Sequence, residues 1–251
     1  MLRLTAMRNL RRAADPDALS VFREGLACIP ARERGPELVP LGRGSNVPWD
    51  KRVLDLMVAV PVLVAALPIM LVAAAVIRIA SPGPALFRQV RIGHGERPFM
   101  MLKLRTMRVD GDDSAFRERN IQEIIGQADP GSDGIFKAAD DERIVPGGAF
   151  LRRYSIDELP QLLNVVRGEM SLVGPRPSLP WEVALYTAEQ RRRHACPPGM
   201  TGLWQVSGRN RLSVQQMLEL DLIYVRRRSL RLDLWILWRT LPAVLLGNDT
   251  H

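Results

Sequence analysis

The sequence predicts an α+β domain held to a membrane, and three observations carry that prediction. Leu56–Ile77 contains no charged residue, and about 20 apolar residues suffice for a helix to cross the hydrocarbon of a bilayer. The two stretches that follow, ALFRQVRIG and FMMLKLRTM, alternate apolar with polar residues between the turn signals SPGP and HGERP, which is the pattern of a small β-hairpin. Beyond Arg152, apolar residues return at helical intervals behind the candidate caps Ser155 and Ser213, so the remainder is mainly helical. The chain divides accordingly into a mobile basic arm over residues 1–46, an anchor over 47–80 and a folded domain over 81–251.

The arm mixes Arg3, Arg8, Arg11 and Arg12 with glycines, prolines and acids and carries one short helical pattern near Pro16–Leu26. It has the flavour of a mitochondrial presequence but lacks the apolar core and cleavage site of a secretory signal, and we read it as a solvated arm beside an anionic bilayer. In the anchor, Lys51 and Arg52 precede the apolar run while Arg78, Arg88 and Arg91 follow it. Positive charge at both flanks gives no single orientation and is compatible with both ends on one side. Pro68, near the middle, removes a backbone hydrogen bond and predicts a kinked, re-entrant helix, and Pro61 adds a second bend. The alternative is the core helix of a soluble protein, although core helices are rarely so uniformly apolar.

In the hairpin, Lys103 and Arg105 fall on one face of the second strand, and spacing alone leaves open whether that face is merely solvated or binds an anion. His94, in the turn, reads as solvated. Val109–Gly148 is rich in Asp and Gly, with a helical stretch over Ser114–Ile125. Asp110, Asp112 and Asp113 do not form a calcium loop, because Gly111 comes too early and no glutamate stands at the twelfth position. The segment reads instead as a loop-and-helix excursion over a site.

That site is expected in RRYSIDELPQLLNVVRGEMSLVGPRP, Arg152–Pro177. Ser155 and Glu158 have the capping-box spacing, and Leu159, Leu162, Leu163 and Val166 recur helically until Gly168, which predicts a helix from about Ser155. Asp157 and Glu158 then lie in its first turn, where both acids are accounted for if they only cap the helix. Arg152 and Arg153 just before the turn, Pro160 inside it, and Arg176 in a turn that can fold back favour more. Two carboxylates among arginines suit the handling of phosphate with a divalent cation, one acid holding the metal and the other free to act.

DELPQLLNVVRGEMSLVGPRP resembles the signature of the bacterial sugar transferases, the monotopic phosphoglycosyl transferases that load a sugar phosphate onto polyprenol phosphate. The resemblance extends to KRVLDLMVAVPVLVAALP, SPGPALFRQVRIG, KLRTM and PPGMTGLWQVSGRN, in the family's order, over about four fifths of the chain. It implies a re-entrant membrane helix broken at Pro68 and a catalytic domain over 81–251 on the cytoplasmic face of a bacterial inner membrane. The family breaks its helix at a Ser-Pro pair, where this chain has Leu67-Pro68. The resemblance further implies that Asp157 attacks the β-phosphate of a UDP-sugar, that Glu158 and Asp157 hold Mg²⁺, and that UMP leaves. It assigns Lys103 to the active site and draws Arg105, Arg152, Pro175 and Arg176 into substrate binding. The substrates implied are a UDP-sugar and polyprenyl (undecaprenyl) phosphate, with membrane lipids as neighbours; a homodimer is compatible with these.

After the central helix, Pro180–Arg193 reads as one helix ending in Arg191, Arg192 and Arg193, with His194 and Cys196 structural. PPGMTGLWQVSGRN reads as an irregular loop in which Gln205, Arg209 and Asn210 suit a nucleotide's base, ribose and phosphates, a role that the resemblance favours. Ser213 caps a helix whose apolar face is Val214, Met217, Leu218, Ile223 and Val225. The last stretch sets Trp235 and Trp238 among leucines between Arg231 and Arg239, as an amphipathic helix lying in a bilayer interface does; a core helix is the alternative.

Composition bounds the function. The chain of 251 residues is 47% hydrophobic, with a formal net charge of +8 and a pI near 10.4, enough for one elaborated domain with an anionic partner. Cys28 and Cys196 lack metal-ligand spacing and read as reduced thiols. An anionic-lipid-binding scaffold would not need the adjacent acids. A nucleic-acid binder is disfavoured by the apolar run and by the lack of an aromatic-basic platform. A conventional glycosyl transferase is the nearest enzymatic rival and would release UDP.

Overall fold

The computed structural model describes residues 47–107, 114–125, 144–208 and 212–245. The basic arm, the Asp110, Asp112 and Asp113 segment, Arg209 and Asn210 lie outside these ranges. Helix α1 (Trp49–Ala80) is longer at both ends than the uncharged run and contains both Pro61 and Pro68. Pro68 therefore does not break it: the ring deletes one N–H bond while the turns on either side stay helical. Among the described residues α1 is the one helix long and apolar enough to cross a membrane.

One stripe of α1 is buried, through Lys51, Asp55, Ala59, Ala66, Ala73 and Ile77, at the four- and seven-residue spacing of a single helix face. Its alanines let the helix lie close to the body, while Met57, Val60, Val64, Leu67, Leu71 and Val72 point outward. The charges at its start, noted in the sequence as flanking the apolar run, are paired with the body. Lys51 Nζ donates to Asp233 Oδ2 at 2.7 Å, and Asp233 Oδ1 accepts from the Tyr224 hydroxyl at 2.7 Å. Arg52 donates to the carbonyls of Val165 at 2.6 Å and Val166 at 2.7 Å. Asp55 Oδ1 accepts from Ser171 Oγ and from the Leu172 N–H, both at 3.0 Å.

Strands β1 (Leu86–Ile92) and β2 (Pro98–Leu104) form the expected antiparallel hairpin, in register from Leu86 opposite Leu104 to Ile92 opposite Pro98. His94 sits in its turn half-buried rather than solvated. Helices α2 (Ser114–Ile124) and α3 (Gly148–Arg153) follow, then a 3-10 turn over Ile156–Glu158 and α4 (Gln161–Arg167), which stops at Gly168 with φ 81°. Strand β3 (Ser171–Val173) pairs in parallel with β4 (Gly199–Thr201). Between these strands lie α5 (Pro180–Leu185), α6 (Ala188–Arg191) and a 3-10 turn over Arg192–Ala195; after them come α7 (Leu203–Val206), α8 (Val214–Arg227) and α9 (Leu230–Leu245). Small sheets among helices make the fold α+β.

Three local readings change. The capping box at Ser155 does not form: Ser155 is left-handed at φ 55° and its side chain makes no cap, whereas a capping residue needs extended backbone. Pro160 has no N–H to continue an α ladder, so 3-10 bonds from Glu158 to Ser155 and from Leu159 to Ile156 carry the turn, and α4 starts only at Gln161. The single helix expected over Pro180–Arg193 is split at Tyr186, whose ψ is 138°, because Thr187 and Gln190 form a capping box that restarts the chain as α6. PPGMTGLWQVSGRN is not irregular throughout but supplies β4 and α7. A Cβ on Gly199 would lie 2.1 Å from Gly174 N and one on Gly202 2.5 Å from Gly174 O, so glycine is what allows this contact. The Ser213 cap forms as read, reciprocally with Gln216.

The main core joins Ala59 of α1 to Met101, Leu162, Val165, Met170 and Tyr224, with Leu232 and Ile236 of α9. At the other end of α1, Ala73 and Ile77 share a second cluster with Leu104 and Leu151, against which Ile156 packs. Asn164, fully buried, locks α4 to the hairpin: its Oδ1 accepts from Leu102 N at 3.1 Å, and its Nδ2 donates to Met100 O at 2.8 Å and to Glu169 Oε2 at 2.6 Å.

Two stability predictions follow from buried polar groups. Lys51→Met leaves Asp233 uncompensated and is expected to cost about 3 kcal/mol or more, whereas adding Asp233→Asn, which still accepts from Tyr224, restores most of it; thermal unfolding in lipid nanodiscs measures both. His194 is buried against Arg191 O and Ser178 Oγ, at 3.1 and 3.2 Å, and burial lowers its pKa from 6.5 to about 4. Its neutral form is therefore a source of stability lost as pH falls from 6.5 toward 4. Between pH 7.5 and pH 5 the stability gap between wild type and His194→Gln should narrow by about 2 kcal/mol; a gap independent of pH would contradict the buried neutral imidazole.

Candidate active site

The acid pair is held on the 3-10 turn Ile156–Glu158, which packs against β2 and α3. It lies ahead of α4 rather than inside its first turn. Ser155, left-handed without being glycine, holds the turn in a conformation that such residues rarely adopt, and strain of this kind collects at functional sites. Asp157 is 7% exposed. Glu158 Oε1 accepts from Lys103 Nζ at 2.7 Å, with about a third of the Glu158 side chain open to solvent. The two charges pair across the hairpin's inner face: in the β1–β2 register Phe87, Gln89 and Arg91 share that face with Lys103, Met101 and Phe99.

Arg91 was met in the sequence only as a flanking cation, and the structure sets it beside this pair. Burial, the nearby Arg176, and in the opposite sense Glu182 and Glu158, bring its pKa down to about 10. Its guanidinium bonds Pro177 O at 3.0 Å and Gln89 Oε1. The alternation of RQVRIG carried the signal, since it puts Arg91 on the face of Lys103. Arg176 reaches Glu182 Oε1 at 3.6 Å, which sets its guanidinium against α5 and near Arg91.

The other expected residues divide. Arg152 is half-buried at the end of α3, beside the turn. Pro175 is buried and its carbonyl accepts from Gly199 N at 2.8 Å. Gln205 donates to Met200 O at 3.3 Å and lies close to Gly202, which abuts Gly174, so it flanks the start of the same segment. Arg105 is committed elsewhere: it is 4% exposed and donates to Pro82 O at 2.6 Å and Ser81 O at 2.8 Å. The residue follows the end of β2, and its guanidinium closes the SPGP turn rather than lining the site. Cys196 is buried and its thiol is pushed up to about 12, which makes it inert.

Among the described residues no cluster of three or more His, Cys, Asp or Glu forms a metal cage. The adjacent carboxylates Asp157 and Glu158 offer hard oxygen donors of a kind that suits Mg²⁺ completed by phosphate oxygens and water better than a metal held by protein alone.

Comparison with known proteins places this arrangement. Residues 47–247 match the family described as bacterial sugar transferase. The chain is 38% identical to the exopolysaccharide production protein ExoY of Sinorhizobium fredii, covering 80% of this chain and 88% of that one. It is 42% identical to a UDP-glucose:undecaprenyl-phosphate glucose-1-phosphate transferase of Caulobacter vibrioides, over 80% of this chain and 72% of the relative. It is 36% identical to an undecaprenyl-phosphate galactose phosphotransferase of Salmonella typhimurium, over 80% of this chain and 41% of the relative. The acid pair, Lys103, Arg91 and helix α1 all lie within the matched residues, and the chain belongs to the bacterial sugar transferase family.

Proposed function

We propose that this enzyme transfers a sugar 1-phosphate from a UDP-sugar to polyprenyl phosphate in two steps through Asp157. In the first, an Asp157 carboxylate oxygen attacks the β-phosphorus, the bond to the bridging oxygen breaks, and UMP leaves with that oxygen. In the second, a phosphate oxygen of the polyprenol attacks the same phosphorus, the acyl phosphate bond breaks, and the carboxylate is regenerated. The observation that carries this reading is the placement of the acids: Asp157 is buried and Glu158 is paired with Lys103, on the body that holds both ends of α1.

A carboxylate approaching a diphosphate meets like charge, and Lys103, Arg91 and Arg176 provide the compensating cations. Glu158, with Asp157, would hold Mg²⁺, which when bound supplies further neutralisation of the diphosphate. Lys103 keeps Glu158 oriented toward the site, and the low exposure of Asp157 shields an acyl phosphate from water.

Support for a monotopic anchor comes from the docking of α1. Lys51 and Asp55 at its start and Ala73 and Ile77 near its end are buried on one body, which is difficult for a helix whose ends face opposite compartments. The re-entrant form then needs only a bend at Pro61 or Pro68. Leu234, Trp238 and Leu241 of α9 are exposed along one stripe, with Arg239 over Trp235 at 5.9 Å, as suits a helix in the interface. The reading places the domain on the cytoplasmic face of the inner membrane, where nucleotide sugars are.

Identifying the released nucleotide tests this reaction: UMP is expected, and UDP would indicate conventional glycosyl transfer. Asp157→Asn keeps the shape, removes the nucleophile and should lower UMP release about 10³-fold or more with the fold intact. Glu158→Gln should lower the rate and raise the Mg²⁺ concentration needed for half-maximal activity. Wild-type turnover in Asp157→Asn would remove the covalent step.

A further inference from the structure

Behind the Pro175–Pro177 segment lies a buried ion pair that the reaction above does not use. Arg193, in the 3-10 turn after α6, is 4% exposed and pairs closely with Asp221 of α8, itself 1% exposed. The same guanidinium donates to the Arg176 carbonyl at 2.9 Å, to Ser178 Oγ at 2.7 Å and to the Tyr186 hydroxyl at 2.9 Å. From the opposite side β1 takes the next two carbonyls: Arg91 Nη1 donates to Pro177 O at 3.0 Å and Ile92 N to Ser178 O at 2.8 Å. Three successive carbonyls, of Arg176, Pro177 and Ser178, are thus each held by a donor from a different residue. Pro177 and Ser178 are buried, and the Arg176 side chain alone of the three remains open, about a third exposed.

A buried guanidinium and carboxylate are seldom retained for stability, since apolar residues of similar size often serve as well. What arginine adds is a rigid fork that engages several acceptors at once, which a lysine ammonium does not reproduce. We infer that Arg193 is a positioning residue: by fixing the Arg176 carbonyl against Ser178 and Tyr186, it aims the Arg176 side chain at the phosphate of the bound nucleotide. The inference rests on the reading of Arg176 as a substrate-binding group.

The test is calorimetric titration of the full chain in lipid nanodiscs with UMP and Mg²⁺, where stoichiometry reports the folded fraction. Arg193→Lys keeps a charge opposite Asp221 but loses the fork, and should weaken UMP about tenfold at unchanged stoichiometry. Tyr186→Phe keeps the ring, deletes one acceptor and should weaken it about threefold; it carries the test alone if Arg193→Lys lowers the stoichiometry. In an Arg176→Ala background neither change should weaken UMP further. Wild-type affinity in both variants, or the same fold-loss with and without Arg176, would overturn the positioning role. Wild-type affinity in Arg176→Ala alone would instead remove Arg176 from the nucleotide site, a failure of the underlying reading that the single variants distinguish.

Discussion

The rest of the molecule depends on the pairing of three charges at the root of α1, of which Lys51 and Asp55 are buried. Lys51, Arg52 and Asp55 are each satisfied by a different part of the body: Asp233 of α9, the last carbonyls of α4, and the first residues of β3. An apolar helix has no reason of its own to choose one orientation on a protein surface, because its outward faces are equally at home in lipid. Charged groups that must be paired when buried supply that choice. They set the axial position and the rotation of α1, and the alanine stripe then carries the helix along the body to the cluster that supports the acid-bearing turn. Membrane anchor and active site are in this sense one construction.

The site itself is built on backbone held from several sides. Asn164 ties α4 to both strand neighbours Met100 and Leu102, Pro160 keeps the acids on a tight turn ahead of the helix, and Gly174 allows β3 and β4 to approach closely before VGPRP turns outward. The acid-bearing turn thereby sits on a rigid frame, while the charges proposed to meet substrate come from four separate segments: Lys103, Arg91, Glu158 and Arg176. Precision at a phosphoryl centre needs such support, since misplacement of a charge by an ångström is felt in rate.

Much of this was legible in the sequence, and where it was not the reasons are physical. The hairpin, the Gly168 stop and the Ser213 cap follow from local turn and capping chemistry, which acts over a few residues. Asp157, Glu158 and Lys103 were singled out by resemblance, and the structure pairs Lys103 with Glu158. Ser155 misled because the capping-box spacing says nothing about φ, and the backbone there is left-handed at φ 55°. Arg105 misled because period-2 alternation assigns a face but not a partner, and the residue falls just after the strand, against the SPGP turn. The partners of Lys51, Arg52 and Arg193 lie far away in sequence, at Asp233, Val165 and Asp221, so no local pattern announces them.

Both ends of α1 are docked on one body, and the proposed re-entrant anchor puts them in one compartment. Cysteines at Trp49 and Pro84, both exposed, placed in a Cys28→Ser chain whose remaining Cys196 is buried, can be probed in oriented vesicles with a thiol reagent that does not cross lipid. Labelling of both positions from the same side is the predicted result. Labelling of the two from opposite faces would show a helix that spans the bilayer and would contradict the account.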